Sequence, residues 1–551
     1  MLEGLVQHDH ALTVGMILRR MRTVTGNAQV ATLRSPGQID RASYREVAER
    51  ADLLADALSK LGVGEGDRVG TFMWNNQEHL EAYYAIPAMG AVLHTLNLRL
   101  FPEQLVYIVN HAQDKVILVN DSVIPLLAPH TDKFETVEKY IVVGDGDASA
   151  LPADKVIRYD ELLASASPGF AYPEIDDRSA SGLCYTSGTT GDPKGVLYSH
   201  RSTFLHAIAS GMTDLLGVCG NDVVLPVVPM FHAQAWGLAY AAPLVGADLV
   251  MPDKFLQGEP LAKLIEGEKV TVAGAVPTLW MDLLRYADEH KPDLSSLRRV
   301  PCGGAAVPKS LMQAFEERYG VLIVQAWGMT ETSPLGAVAR PPRGLSEEEA
   351  WGYRTTAGRI APGVEARIVD EVGEEVAWDG ESTGEVEVRG PWIASAYYET
   401  DAPEKFHDGW LRTGDVAAIT SNGFIRITDR AKDVIKSGGE WISSVDLENE
   451  LMAHPAVREA AVIAKPDERF TERPLACIVF DEGKEVPAGE LATFLLDRVA
   501  KWWIPDEYAV IDEVPKTSVG KFDKKVLRAR LEDGELTDRH TVDKIEAAPA
   551  G

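Results

Sequence analysis

The chain has 551 residues, 45% hydrophobic and 25% charged, which is enough for at least two folding units of globular type. Asp and Glu outnumber Lys and Arg by 83 to 54, and the net charge of −29 excludes nucleic acid as a main partner, because phosphate backbones reward basic stripes. Any anion site on so acidic a protein must therefore gather its cations locally.

Four separated cysteines (Cys184, Cys219, Cys302, Cys477) form no CxxC pair and have no histidine cluster nearby, which fits a reduced cytoplasm and gives no zinc site. Cys184 and Cys302 read as small buried side chains. The N-terminus lacks a basic region followed by an apolar run, so no signal peptide is expected. The most apolar long window, 227–251, is broken by His232, Gln234, Pro243 and Asp248 and is no membrane span. A cytoplasmic protein without a transmembrane segment is expected.

In chain order, Ser43 with Glu46 predicts a capping box, followed by Val47, Ala51, Leu54, Ala55 and Leu58 on one helical face. Residues 115–120 read as a buried strand and 273–276 as a shorter one. Residues 385–389, Glu-Val-Glu-Val-Arg, alternate as a half-exposed strand does. Helix and strand patterns alternate through the first 420 residues or so, which predicts layered α/β subdomains with largely parallel sheets. A charge-dense stretch, 429–433, marks a boundary near 428. Beyond it Ser443 with Asp446 caps a helix through Met452, and 457–464 and 475–480 read as strands. The expected domains are 1–428 and 429–533, with a disordered polar tail at 534–551.

Residues 185–195 read Tyr-Thr-Ser-Gly-Thr-Thr-Gly-Asp-Pro-Lys-Gly. The hydroxyls of Thr186, Ser187, Thr189 and Thr190 alternate with Gly188 and Gly191, and Lys194 adds a charge. Glycines let backbone N–H groups converge on an anion, so this is the chemistry of a polyphosphate loop. It is not a Walker loop: Gly188 and Gly191 are too close, and Gly195 follows the lysine. The stretch resembles the phosphate loop of the adenylate-forming superfamily, which includes acyl-CoA synthetases, adenylation domains and firefly luciferase.

Further segments strengthen the resemblance. Residues 325–334, Gln-Ala-Trp-Gly-Met-Thr-Glu-Thr-Ser-Pro, match its aromatic-Gly-x-Thr-Glu motif. Here Ala326, Trp327, Gly328 and Met329 would face a nucleotide, with Trp327 flat against adenine. Thr330 can bond a phosphate, and Glu331, with Thr186, is a hard oxygen ligand suited to Mg²⁺. Taken alone, Glu331 would be a solvated acid. The small residues Gly303, Gly304, Ala305 and Ala306 resemble the adenine-side segment. Asp415, in Leu-Arg-Thr-Gly-Asp, resembles the acid that holds the ribose hydroxyls, with Arg430 as second contact. Lys432 falls at the interdomain hinge. Residues 515–523, Pro-Lys-Thr-Ser-Val-Gly-Lys-Phe-Asp, resemble the C-terminal catalytic segment, where Lys521 would bridge substrate carboxylate and α-phosphate.

The resemblance covers residues from about 40 to 530. It implies a large N-terminal domain of α/β layers with a small β-barrel-like part, and a smaller, mobile α+β C-terminal domain. It implies Mg²⁺, ATP and coenzyme A, and a two-step reaction: a carboxylic acid is adenylated with loss of pyrophosphate, then a thiol displaces AMP. Lys521 serves the first step; Lys436, Gly438, Gly439 and Trp441 face the thiol in the second, after a hinge rotation. Similar synthetases form homodimers. Residues 228–237 resemble a segment of medium- and long-chain fatty acyl-CoA synthetases in which a tryptophan, here Trp236, gates an acyl tunnel. His232 lines the carboxylate end, and Val276 and Pro277 belong to the pocket wall.

The expected activity is therefore an AMP-forming ligase joining a medium- to long-chain fatty acid to coenzyme A. Ligases for 3-(methylthio)propionate and short acids share the pattern, including residues 101–111. A stand-alone enzyme loading a carrier protein, a luciferase-like oxygenase and a non-catalytic nucleotide-binding homologue are the readings of other classes. Too few residues follow Lys521 for an appended carrier domain, which favours free coenzyme A.

Overall fold

The computed structural model describes residues 2, 4–7, 9–186, 192–370, 372–430, 433, 435–437, 440–467, 469–516 and 522–542. Its first half is built on two mainly parallel sheets. One runs Val272–Gly274, Val223–Pro226, Asp248–Met251, Gln29–Ser35, Gln38–Ser43, antiparallel only at the last pair. The other orders Val156–Arg158, Lys139–Val143, Asp114–Asn120, Arg68–Phe72, Val92–Thr95, Ala180–Tyr185 and Gly195–Ser199, again antiparallel only at the last pair.

Each strand feeds both of its faces, because successive side chains point to opposite sides. Val116 and Leu118 join Val30, Val224 and Leu249 of the other sheet around the helices Tyr44–Lys60 and Gln77–Ala88. Ile117 and Val119 face an outer core, as do Leu225 and Val250 on the far side. A helical layer therefore lies between the sheets. The helix Tyr44–Lys60 starts at the expected box: Ser43 Oγ accepts from Glu46 N, and the Glu46 carboxylate accepts from Ser43 N at 2.7 Å.

A third sheet begins with the parallel strands Val300–Gly303 and Ile323–Gly328. It continues antiparallel through Leu335–Val338, Gly358–Ile360, Phe424–Arg430, Trp410–Ile419, Thr383–Arg389 and Glu365–Val369. The strand Phe424–Arg430 carries this sheet past residue 428, and a separate sheet takes over at Ile435–Ser437. That last sheet orders Glu440–Ile442, Ile435–Ser437, Thr471–Phe480, Glu507–Val510 and Arg539–Thr541, with Val457–Asp467 paired to Thr471–Phe480.

Three expectations need correction. The segment 273–276 is a strand only over Val272–Gly274, since Val276 caps and Pro277 opens the helix Pro277–His290. Glu387 is buried rather than exposed: its face is covered, and Arg367 and His407 each meet its carboxylate at 2.7 Å. The tail is not wholly disordered, because Arg539–Thr541 pairs with the free edge of Glu507–Val510 and Arg539 meets Glu507 at 3.2 Å. The disorder expected for 543–551 concerns residues outside the described ones.

Cys184, Cys302 and Cys477 are buried and Cys219 is exposed. Among the described residues no helix is long and apolar enough to cross a membrane.

Candidate active site

The phosphate-loop segment joins two antiparallel strands. Ala180–Tyr185 and Gly195–Ser199 pair antiparallel, with Tyr185 opposite Gly195. Thr186 extends the pairing: its N–H donates to Lys194 O at 2.9 Å, and its Oγ1 accepts from Lys194 N at 3.1 Å. Ser187, Gly188, Thr189, Thr190 and Gly191 lie outside the described residues. Lys194 places its ammonium 5.0 Å over the Tyr397 ring and 3.9 Å from Glu404. Beside Gly195, Tyr185 Oη and His111 Nδ1 are 2.7 Å apart, and His111 belongs to the helix Pro102–Ala112. Behind it His94 and Asp114 form a fully buried pair at 2.8 Å, and burial raises the Asp114 carboxyl above its usual range.

The second motif reaches the hairpin through two tyrosines. Strand Ile323–Gly328 ends in a tight turn, Thr330–Thr332, that buries Glu331 to 5% exposure. Tyr198, on the hairpin's second strand, donates to Thr330 O at 2.7 Å. Tyr397 donates to Glu331 Oε1 at 2.6 Å, and burial and Glu331 together raise its phenol above the ordinary value. Neither tyrosine belongs to the sequence motifs; each acts across more than 60 residues of chain, beyond the reach of any local pattern.

Adenine-side and ribose-side segments meet in a cleft of about 920 Å³. Val276, Pro277, Gly304, Ala305, Ala326, Trp327, Gly328 and Asp415 all line it. Trp327 Nε1 donates to Asp415 Oδ2 at 2.8 Å, with both side chains buried, so the aromatic of one motif directly orients the acid of another. Gly303 does not line the cleft; it packs beside Ala326, whose oxygen would lie 2.5 Å from a Cβ there. Arg430 is the cross-strand partner of Asp415 in the antiparallel ladder, and Lys436 that of Trp441. The side chains of Arg430, Lys436 and Trp441 lie outside the described residues, as do Lys432, Gly438, Gly439 and Lys521 entirely. The segment holding Lys521 is pinched at its base, where Lys516 bridges Phe522 and Asp523 N donates to Pro515 O at 2.7 Å.

The cleft also carries cations that no motif flagged: Lys309, Arg426, Arg498 and Lys524. Lys524 is held by Glu448 at 2.7 Å and by Ser444 Oγ at 2.5 Å. Acids share this lining (Glu348, Asp415, Asp433, Asp446, Glu448 and Glu450), and Arg498 is held by Glu450 at 3.2 Å, so the cations are interleaved with carboxylates rather than gathered in a basic patch. Trp351 on the same wall is stacked by Arg354, 3.8 Å over its ring.

The cleft lining does not include His232 or Trp236. Ala233, Gln234, Ala235 and Trp236 have φ of 42–55°, a run of left-handed backbone costing roughly 1–2 kcal/mol per residue. Tertiary contacts hold it. Trp236 lies against Gly274, and the His206 ring fills the space beside Gly237, where a Cβ would come within 2.5 Å. His206 in turn accepts from Leu335 N at 3.4 Å, and burial lowers its pKa to about 4. Val228, Met230, Leu238 and Val276 share the buried cluster of Trp236, so its surroundings are apolar.

A fold of two α/β layers with a small C-terminal sheet, a strand pair carrying Thr186 and Lys194, and a cleft joining Trp327 to Asp415 suits a nucleotide-using enzyme. The family model described as AMP-binding enzyme matches residues 22–398, and that of the AMP-binding enzyme C-terminal domain matches 446–521. The chain belongs to this family, among its acyl-CoA ligases.

It is 44% identical to a 3-methylmercaptopropionyl-CoA ligase of Ruegeria lacuscaerulensis, covering 95% of this chain and 98% of that one. It is 42% identical to a medium-chain-fatty-acid–CoA ligase of Ectopseudomonas oleovorans, and 44% identical to a long-chain-fatty-acid–CoA ligase of Thermus thermophilus, each over 95% of this chain and 96% of the relative. Among solved structures, the anthranilate CoA ligase AuaEII in complex with anthranoyl-AMP superposes with a TM-score of 0.86 at 26% identity, over 95% of this chain and 98% of that one.

Proposed function

We propose that this enzyme activates a medium- to long-chain fatty acid with ATP and transfers the acyl group to coenzyme A. The single observation carrying the reading is the Trp327–Asp415 contact inside a cleft that also reaches Val276 and Pro277. It sets a flat aromatic, a carboxylate for paired hydroxyls and the wall of an acyl pocket around one space.

In the first step a carboxylate oxygen attacks the α-phosphorus and pyrophosphate leaves with the electrons of the broken P–O bond. In the second, a thiol sulfur attacks the acyl carbonyl, AMP leaves, and the thiol proton passes to solvent. Trp327 and the Gly304–Ala305 turn would hold adenine, and Asp415 with Arg430 the ribose. The hairpin with Thr186, Lys194 and Thr330 would hold the outgoing phosphates. Lys521 would neutralise charge between carboxylate and α-phosphate. Lys436, Gly438, Gly439 and Trp441 would face the thiol once the C-terminal domain has turned about Lys432.

Mg²⁺ fits this site as a partner of the nucleotide. Among the described residues no cluster of three or more His, Cys, Asp or Glu could hold a metal alone, whereas Glu331 offers one buried oxygen donor set. Such sparse protein ligation suits an ion that keeps phosphate oxygens and water. When bound, it would neutralise phosphate charge; Glu331 and Thr186 would hold it.

A hydrocarbon acid is favoured by the apolar cluster around Trp236; His232 would line the carboxylate end. 3-(Methylthio)propionate is the second reading, supported by the Ruegeria relative at equal identity. We place the reaction in the cytoplasm, and homodimers are a further expectation. The test is a series of acids from C3 to C18 plus 3-(methylthio)propionate, read as kcat/KM for AMP and acyl-CoA formation. A maximum at C8 or longer supports the proposal, and one at C4 or below rejects the fatty-acid version. Adenylate without thioester would reject coenzyme A as acceptor.

A further inference from the structure

We propose that Tyr397 is a positioning residue for acyl-adenylate formation, fixing the Glu331 carboxylate with its hydroxyl and the Lys194 ammonium with its ring. The inference rests on the functional reading above and names a residue that none of the motifs contains.

Residues 392–398 form a strap stitched to two separate parts of the site. On one side Ala394 N donates to Glu331 O at 2.8 Å, Trp392 Nε1 donates to Leu335 O at 2.9 Å, and Ser333 Oγ donates to Trp392 O at 2.6 Å. On the other, Tyr398 N donates to Gly195 O at 2.8 Å, at the mouth of the phosphate hairpin. Tyr397 sits between these anchors, 8% exposed, with the Phe406 ring edge-on at 5.0 Å locking its plane.

Its two ends do different work. The phenol donates to Glu331 Oε1 at 2.6 Å, a short bond that orders one carboxyl oxygen and thereby turns the other. The ring face lies 5.0 Å beneath Lys194 Nζ, within cation–π range. One side chain therefore sets the spacing between the acid offered to Mg²⁺ and the cation offered to the phosphates. These groups sit on different elements and are otherwise 137 residues apart in sequence (331 − 194).

The two ends can be separated by substitution. Tyr397→Phe keeps the ring and removes the hydroxyl; Tyr397→Leu removes both. Binding of α,β-methylene-ATP is measured by calorimetry in EDTA and across a Mg²⁺ titration, beside the rate of acid-dependent pyrophosphate release. Tyr397→Phe should bind the analogue in EDTA as the parent does, but need about tenfold more Mg²⁺ for half-maximal enhancement, the loss expected of one hydrogen bond to a charged group. Its kcat should fall while KM for the acid stays unchanged. Tyr397→Leu should also weaken binding in EDTA about fivefold, the part carried by the seated lysine.

A parental Mg²⁺ dependence in Tyr397→Phe overturns the proposal, as does identical behaviour of the two variants. If the parent enzyme itself neither binds the analogue nor releases pyrophosphate with any acid, the functional reading has failed, a result distinct from a parent that works and a variant that matches it.

Discussion

Replacing Trp327 by Phe tests the contact on which the nucleotide reading stands. The indole N–H and the Asp415 carboxylate are 2.8 Å apart, and the two residues are 8% and 4% exposed. A hydrogen bond to a charged group is worth about 1.5–3 kcal/mol, and leaving a buried acceptor short of a partner costs about as much. Phenylalanine keeps an aromatic face where the indole packs over Gly336, so stacking on adenine should largely survive.

The loss should therefore appear where Asp415 acts, at the ribose. About 2 kcal/mol corresponds to roughly thirtyfold in kcat/KM for ATP. The assay is initial-rate pyrophosphate release with ATP and with 2′-deoxy-ATP. The parent should prefer ATP, and Trp327→Phe should lose most of that preference because the carboxylate is no longer aimed. A variant with unchanged kcat/KM and unchanged discrimination would refute the reasoning. So would an equal loss for both nucleotides, which would place the damage at the base.

Other predictions concern the frame around the site. Burial holds His79, His200 and His206 neutral, with pKa values of about 4 against an ordinary 6.5. The unfolded chain takes up protons below pH 6.5 while the native protein resists until about pH 4. Each histidine's contribution, at most roughly 3 kcal/mol, is thus complete above pH 6.5 and lost as pH falls to about 4. NMR of the imidazole C–H resonances should find these three untitrated at pH 5; midpoints near 6.5 would contradict the burial argument.

Truncation after Gly534 removes the edge strand Arg539–Thr541 and one of the two cationic partners of Glu507, Lys465 being the other, and should lower the melting temperature. An unchanged melt would show that this strand adds no stability. Burial raises the thiols of Cys184 to about 11 and Cys477 to about 12, and that of Cys302 upward too, so a disulfide reagent should modify one thiol quickly in the native protein, Cys219. Two or more fast thiols would contradict the packing.

Local chemistry was legible in the sequence wherever the cause is local. The Ser43–Glu46 box and the Ser443 cap need only three residues of spacing, and both form. The buried strand Asp114–Asn120 announces itself because both faces are covered, leaving a run of apolar residues. Glu387 misled for a related reason: alternation tells which face a side chain takes, not whether Arg367 and His407 arrive to cover it. The edge strand at Arg539–Thr541 is polar and owes its order to a distant neighbour. In the site, Trp327, Asp415 and Gly304 were named by motif. Tyr198, Tyr397 and Lys309 were not, because their roles come from contacts between segments far apart in the chain.

The central claim is that the acid is activated by attack of its own oxygen on the α-phosphate. The direct measurement uses a fatty acid labelled with ¹⁸O in both carboxylate oxygens, with ATP and coenzyme A, followed by mass spectrometry of the products. One ¹⁸O should appear in the phosphate of AMP and none in pyrophosphate, with the other retained in the thioester carbonyl. Label in pyrophosphate or inorganic phosphate, or an AMP free of label, would contradict the account.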